Sequence, residues 1–138
     1  MNEEEILVAL KEYFGEDAEI ERKDNGELHI SSSSIVNKKL DKRASKKLRA
    51  SYYFMGALLG KYKKCEMCFP GGCSIGARPI DLHLSSFKKL GIKIEENAGF
   101  IGCKYDTIKS SVLHLDFPSV GATENLILAS VLGEHEII

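Results

Sequence analysis

Ile6, Leu7, Leu10 and Phe14 share one face at helical spacing, which predicts a helix over about Glu3–Phe14. Phe54, Ala57, Leu58 and the nearby Leu59 do the same within a second predicted helix, about Ser45–Leu59. Ile92 and Ile94 alternate with lysines instead, the period of a half-buried strand. Turn signals at Asn25-Gly26 and Asn97-Ala98-Gly99 predict two hairpins. The remaining elements expected are a strand Lys64–Phe69, a helix Leu82–Leu90, a strand His114–Phe117, a helix Ala122–Leu132 and a short closing strand. Gly15, Gly60, Gly91 and Gly133 stand where helix C-caps belong. The helix from Ala122 follows a Ser-Val-Gly turn, so its first amides are expected to be free to meet an anion.

The order of elements occurs twice. Phe14-Gly15 corresponds to Leu90-Gly91, Gly26 to Gly99, Ala50 to Ala122, and Leu59-Gly60 to Leu132-Gly133. The offsets cluster near about 73 residues, a period that suggests duplicated units. The expected organisation is a single domain over residues 1–138, with internal units of about 1–70 and 71–138. Its class is α/β (α+β), helices packed against small sheets.

Composition narrows the class of protein. A chain of 138 residues is long enough to bury roughly two-thirds of its unfolded surface. With 43% hydrophobic residues and a formal charge of −1 it carries no global bias towards nucleic acid or membrane. Met1-Asn2-Glu3-Glu4-Glu5 is acidic where a signal peptide would be basic, and no apolar run approaches the ~20 residues that span a bilayer. Four cysteines without a secretory signal then point to reduced thiols in the cytoplasm.

The densest candidate chemistry is Pro70-Gly71-Gly72-Cys73-Ser74-Ile75-Gly76-Ala77-Arg78-Pro79-Ile80-Asp81-Leu82-His83. Glycines let the backbone approach a ligand, and Arg78 supplies a planar fork for phosphate or carboxylate. Nearby charge and exposed amides tune a thiol such as Cys73. Taken residue by residue, the run also fits a plain turn with a buried thiol and a solvated arginine. Two other constellations compete. Cys65-Glu66-Met67-Cys68 has the spacing of zinc and redox sites, but a strand there would point its two thiols to opposite faces. Lys38, Lys39, Lys42, Arg43, Lys46, Lys47 and Arg49, followed by Tyr52, Tyr53 and Phe54, mix basic and aromatic residues as nucleic-acid binders do. A solvated helix face with its aromatics in the core explains that run equally simply. The expectation is no metal, no cofactor and no nucleic-acid partner.

The loop 70–83 closely resembles the active-site loop of UDP-N-acetylglucosamine enolpyruvyl transferases, also called UDP-N-acetylglucosamine 1-carboxyvinyltransferases. Leu48-Arg49-Ala50-Ser51 resembles that family's Met-Arg-Ala-Ser. Asp116-Phe117-Pro118-Ser119-Val120-Gly121-Ala122-Thr123-Glu124-Asn125 resembles its second nucleotide-sugar loop, with Phe117-Pro118 in place of a basic residue found in some relatives. The likeness is strong from about Lys47 onward and loose before it.

The resemblance implies a fragment of the enolpyruvyl-transferase inverse α/β barrel, about two of the three units of the domain that carries the cysteine loop. The family's early Lys-Asn pair and its second domain, with an aspartate general base and a further phosphate-binding arginine, have no counterpart in the match. The implied reaction moves the enolpyruvyl group of phosphoenolpyruvate to the 3-hydroxyl of UDP-N-acetylglucosamine and releases phosphate. It is the first committed step of peptidoglycan synthesis, which ties it to cell-wall biogenesis, cell shape and cell division. By resemblance Cys73 donates the proton, and can form a covalent phospholactoyl adduct, while Arg78 neutralises phosphate charge and Arg49 contacts substrate. Nucleotide-sugar contacts carry over to Arg78, Pro79, Ile80, Asp81 and Leu82, and to Phe117, Pro118, Ser119, Val120 and Gly121. His83 reads as a supporting residue. The implied partners are the two substrates and a chain that supplies the second domain. The alternative is a non-catalytic UDP-sugar-binding module or truncated paralogue.

Overall fold

The computed structural model describes residues 11, 19–31, 33, 36–37, 42–47, 49–69 and 80–138, without the side chains of Arg43, Ala44, Lys47 and Arg49. These residues fall into two units, within Met1–Val36 and Asn37–Ile138. In the first unit β1 (Glu19–Arg22) pairs antiparallel with β2 (Leu28–Ser31), Ile20 opposite Ile30. Gly26, at φ +86°, turns the chain where the sequence places a hairpin. The expected helix Glu3–Phe14, Lys11 apart, and the cap Gly15 lie outside the described residues.

The second unit is built on three antiparallel strands in the order β3-β5-β4, with β3 at Lys64–Cys68, β4 at Lys93–Asn97 and β5 at Phe100–Lys104. The β4–β5 hairpin turns on Ala98 and Gly99, both at positive φ, as a two-residue type I′ turn requires. Cys65 stands opposite Cys103, and Met67 opposite Ile101, in rows buried from solvent. Cys68 alternates to the other row, opposite Phe100, as the strand period demands.

The described residues of this unit hold four helices: α1 (Lys42–Lys47), α2 (Tyr53–Tyr62) and α3 (Asp81–Lys89), which meet the sheet, and α4 (Val120–Ser130), which packs on α2 and α3. The helix expected over Ser45–Leu59 is broken, with a 3₁₀ turn at Arg49–Tyr52 between α1 and α2. Within that turn the Ser51 hydroxyl donates to the Ser45 carbonyl at 3.2 Å, inside the core, and ties it back to α1.

The apolar face of α2 also differs from the expected one. Met55, Gly56 and Leu59 are buried, whereas Phe54 and Leu58 are half-buried and Ala57 is exposed. The cause is glycine. A Cβ on Gly56 would collide with the Oδ1 and carbonyl oxygen of Asn125, and one on Gly60 with the carbonyl oxygen of Leu128. Gly60 is therefore a contact point between α2 and α4 rather than a cap. Lys63, at φ 58°, ends α2 in its place, its N–H donating to the Leu59 carbonyl at 2.8 Å. Tyr53 meets Glu124, Gly56 meets Asn125 and Gly60 meets Leu128, so α2 and α4 run side by side in the same direction.

Gly91 does cap α3, at φ +84°. Ile92 N–H bonds Phe87 O at 3.0 Å and Gly91 N–H bonds Lys88 O at 2.9 Å, the paired bonds of a Schellman ending. Gly133 lies beyond the cap of α4, which is Val131. The strand expected at His114–Phe117 does not form. Leu113 and Leu115 are half-buried, and the main chain there bonds elsewhere: the His114 carbonyl accepts from Lys89 Nζ at 2.7 Å. The closing strand is reduced to a parallel bridge between Ser111 and Ile137.

Candidate functional site

The segments singled out in the sequence lead into helices whose starts lie together. Ile80 is buried and caps α3 through its carbonyl, which accepts from His83 N–H at 3.0 Å and Leu84 N–H at 3.1 Å. Asp81 follows, exposed, in the first turn, where the helix dipole favours a carboxylate. Leu82 is half-buried, and its carbonyl accepts from the hydroxyls of Ser85 and Ser86. Cys73, Arg78 and Pro79 lie outside the described residues. Arg49 opens the 3₁₀ turn that precedes α2.

The second segment runs along α3 from its end to its start. Lys89 holds Asp116 at 2.8 Å, in the last turn of α3. Phe117 and Pro118 are exposed. Ser119 caps α4: its Oγ accepts from Ala122 N–H at 3.3 Å, and its carbonyl accepts from Thr123 N–H at 3.0 Å. The amide of Ala122 is thus taken by the chain itself, contrary to the expectation that it awaits an anion. Val120 is exposed and Gly121 half-buried. A Cβ on Gly121 would lie 3.2 Å from the Tyr52 hydroxyl, 3.3 Å from His83 Cε1 and 3.5 Å from the Tyr53 hydroxyl. Through these contacts the first turns of α2, α3 and α4 converge. Parallel helices bring their positive ends together, and a bound anion relieves the repulsion.

Tyr52 and Tyr53, read in the sequence as core aromatics or a stacking surface, line this junction. Their rings lie 4.4 Å apart between centroids, and Tyr52 lies 4.6 Å from the His83 ring. The Tyr53 hydroxyl donates to Glu124. That bond, then the one to Tyr52, then burial hold the Tyr53 phenol well above the ordinary tyrosine range. The unfolded phenol ionises near pH ~10, so the contribution is complete below that pH and is lost as pH rises past it. In a spectrophotometric titration Tyr53 is expected to ionise well above the ordinary tyrosine range. A Tyr53→Phe chain should lose a step above the ordinary range; the loss of an ordinary step instead would contradict the assignment.

The sequence reading missed Asn125, a fully buried polar residue that joins three elements. It stands inside a quoted motif, but its partners lie far away in the sequence. Among the described residues no cluster of His, Cys, Asp or Glu could hold a metal ion, and no helix is long and apolar enough to cross a membrane. An open cleft of about 440 Å³ runs along α4, lined by Leu113, Leu115, Leu126, Ile127 and Val131, and includes none of the candidate residues.

The family described as EPSP synthase (3-phosphoshikimate 1-carboxyvinyltransferase) matches residues 6–138. UDP-N-acetylglucosamine 1-carboxyvinyltransferase 2 of Caldanaerobacter subterraneus subsp. tengcongensis is 45% identical over 105 residues, 76% of this chain and 25% of that protein. The Bacillus subtilis protein of the same name is 42% identical over 115 residues, 83% of this chain and 27% of that one. Among solved structures, the enolpyruvyl transferase NikO from Streptomyces tendae superposes with a TM-score of 0.67 at 16% identity, over 88% of this chain and 29% of that one. EPSP synthase from Acinetobacter baumannii gives 0.59 at 18% identity, over 93% and 29%. The chain thus spans about a quarter of the length of the curated relatives it matches.

Proposed function

Because the chain belongs to the EPSP synthase (3-phosphoshikimate 1-carboxyvinyltransferase) family, we propose that it carries the cysteine and nucleotide-sugar segments of a UDP-N-acetylglucosamine 1-carboxyvinyltransferase. The observation that carries this reading is the convergence of three helix starts, two of them entered from the segments that match the transferase loops. An acidic nucleotide sugar and phosphoenolpyruvate are both polyanions, suited to such a junction.

In the proposed reaction the Cys73 thiol gives its proton to the methylene carbon of phosphoenolpyruvate. The 3-hydroxyl of the sugar adds to the adjacent carbon and loses its proton. The tetrahedral intermediate then expels phosphate, and the methyl group gives up a proton to restore the double bond. Arg78 answers the phosphate charge, and Arg49 contacts substrate ahead of α2. Ile80, Asp81 and Leu82 on one side, and Phe117 to Gly121 on the other, form the two walls for the nucleotide sugar. The setting is cytoplasmic peptidoglycan synthesis, with the consequences for cell shape and division that follow from it.

Recognition and turnover are separable. Titration calorimetry of the 138-residue chain with UDP-N-acetylglucosamine is expected to show saturable binding, weakened about tenfold or more by Arg78→Ala, since a charge-assisted contact to an anion is worth ~1.5–3 kcal/mol. Phosphate release from phosphoenolpyruvate is expected only when the family's second domain is supplied. No saturation by the wild-type chain would sink the recognition half of the proposal. Release by the chain alone would show that these residues assemble a complete site.

A further inference from the structure

Asn125 sits in the second turn of α4, fully buried, and its amide meets three different elements. Oδ1 accepts from Gly56 N–H in α2 at 2.8 Å. Nδ2 donates to the Tyr52 carbonyl in the 3₁₀ turn at 2.9 Å and lies 3.1 Å from His83 Nδ1 in α3. A main-chain N–H can only donate, so the atom facing Gly56 is the oxygen. A carbonyl can only accept, so the atom facing Tyr52 is the nitrogen. The second Nδ2 hydrogen then falls to His83, whose Nδ1 must accept it. The imidazole proton is placed on Nε2.

We infer that Asn125 is a positioning residue: it fixes His83 as the Nε2–H tautomer and thereby sets the start of α3 against the start of α4. Gly121 closes on Cε1 of that same ring, and Tyr52 packs against its face. The amide thus helps set Ile80–Leu82 against Phe117–Gly121, alongside the Lys89–Asp116 ion pair and the contacts at Gly121. The geometry stands on its own; the ligand it serves rests on the transferase reading above.

An aspartate at this position has the same shape and no donor. It can keep the Gly56 bond, but it calls for a proton from His83 Nδ1 and repels the Tyr52 carbonyl. The test is long-range proton–nitrogen correlation of histidine-labelled chain at mildly alkaline pH, with His83 assigned by its loss in His83→Gln. The wild-type chain is expected to show a single Nε2–H pattern, and Asn125→Asp a proton on Nδ1. An averaged pattern in the wild type, which needs no variant to fold, overturns the inference. So does an Nε2–H pattern retained in Asn125→Asp.

The same samples are titrated with UDP-N-acetylglucosamine. Affinity is expected to fall about tenfold in Asn125→Asp, the equivalent of one lost net hydrogen bond. His83→Gln, whose amide oxygen can still accept from Nδ2, should retain more affinity than His83→Leu. Unchanged affinity in a chain whose tautomer has flipped overturns the positioning role. A wild-type chain that binds no nucleotide sugar contradicts the transferase reading instead, while the tautomer spectra still decide the role of Asn125.

Discussion

Replacing Gly56 by alanine is expected to destabilise the chain by about 4 kcal/mol and to lower its melting temperature by at least ~15 °C. The new methyl group would overlap the side-chain and main-chain oxygens of Asn125 and press on Leu128 Cβ at 3.0 Å. Two of those neighbours are helix backbone or a fully bonded amide, so neither can yield without moving α4. Overpacking of this kind costs ~1–3 kcal/mol, and separating the Gly56 N–H from Asn125 Oδ1 leaves a buried donor unmatched at a similar cost. Such a loss is a large share of the stability of a small domain. Gly102→Ala is the control: its Cβ would meet only the Glu95 carbonyl oxygen at 3.8 Å, an ordinary contact. Thermal and urea unfolding of both variants decide the matter. Equal melting temperatures would mean that α2 and α4 do not touch through Gly56.

The same glycines show what the sequence could and could not announce. Turn chemistry is local, so Asn25-Gly26, Asn97-Ala98-Gly99 and the α3 cap at Gly91 were legible from a few residues each. Strand β3 and helices α3 and α4 fell within two residues of their expected bounds. The α2 face was misread because a hydrophobic count gives no weight to glycine, and here Gly56 and Gly60 are the contact surface. The 3₁₀ turn at Arg49–Tyr52, tied back by the Ser51–Ser45 bond, interrupts a run whose apolar spacing reads as one helix. The strand expected at His114–Phe117 finds no pairing strand among the described residues. The candidate site was legible as motifs through family resemblance, not through periodicity. The joining role of Asn125 was hidden because its three partners lie 42 to 73 residues away.

The epoxide fosfomycin is expected to modify one thiol per native chain, Cys73, and the Cys73→Ala chain should react at least ~10-fold more slowly, since reaction follows thiolate character and access. The other three cysteines decide how selective the label can be. Cys65, Cys68 and Cys103 are 1%, 2% and 2% exposed, within or flanking the packed rows of β3 and β5. The bond to Cys103, and then burial, push the Cys65 thiol up. Cys103 receives that bond and is held below the usual thiol range, which makes it a chemical competitor. Its burial removes it from the contest, because a thiolate that a reagent cannot reach does not react. Ring opening forms a carbon–sulfur bond, breaks a carbon–oxygen bond, and leaves an alkoxide that takes a proton from water. Peptide mass mapping locates the adduct, and a denatured sample treated with iodoacetamide should label all four cysteines. UDP-N-acetylglucosamine is expected to accelerate the native reaction if, as proposed, it binds beside Cys73. Adducts spread evenly over the four thiols, or a Cys73→Ala chain that reacts as fast as the wild type, would remove Cys73 from the proposed chemistry. A single adduct at Cys73 that the nucleotide sugar slows would instead keep the thiol beside the ligand and discard the expected acceleration.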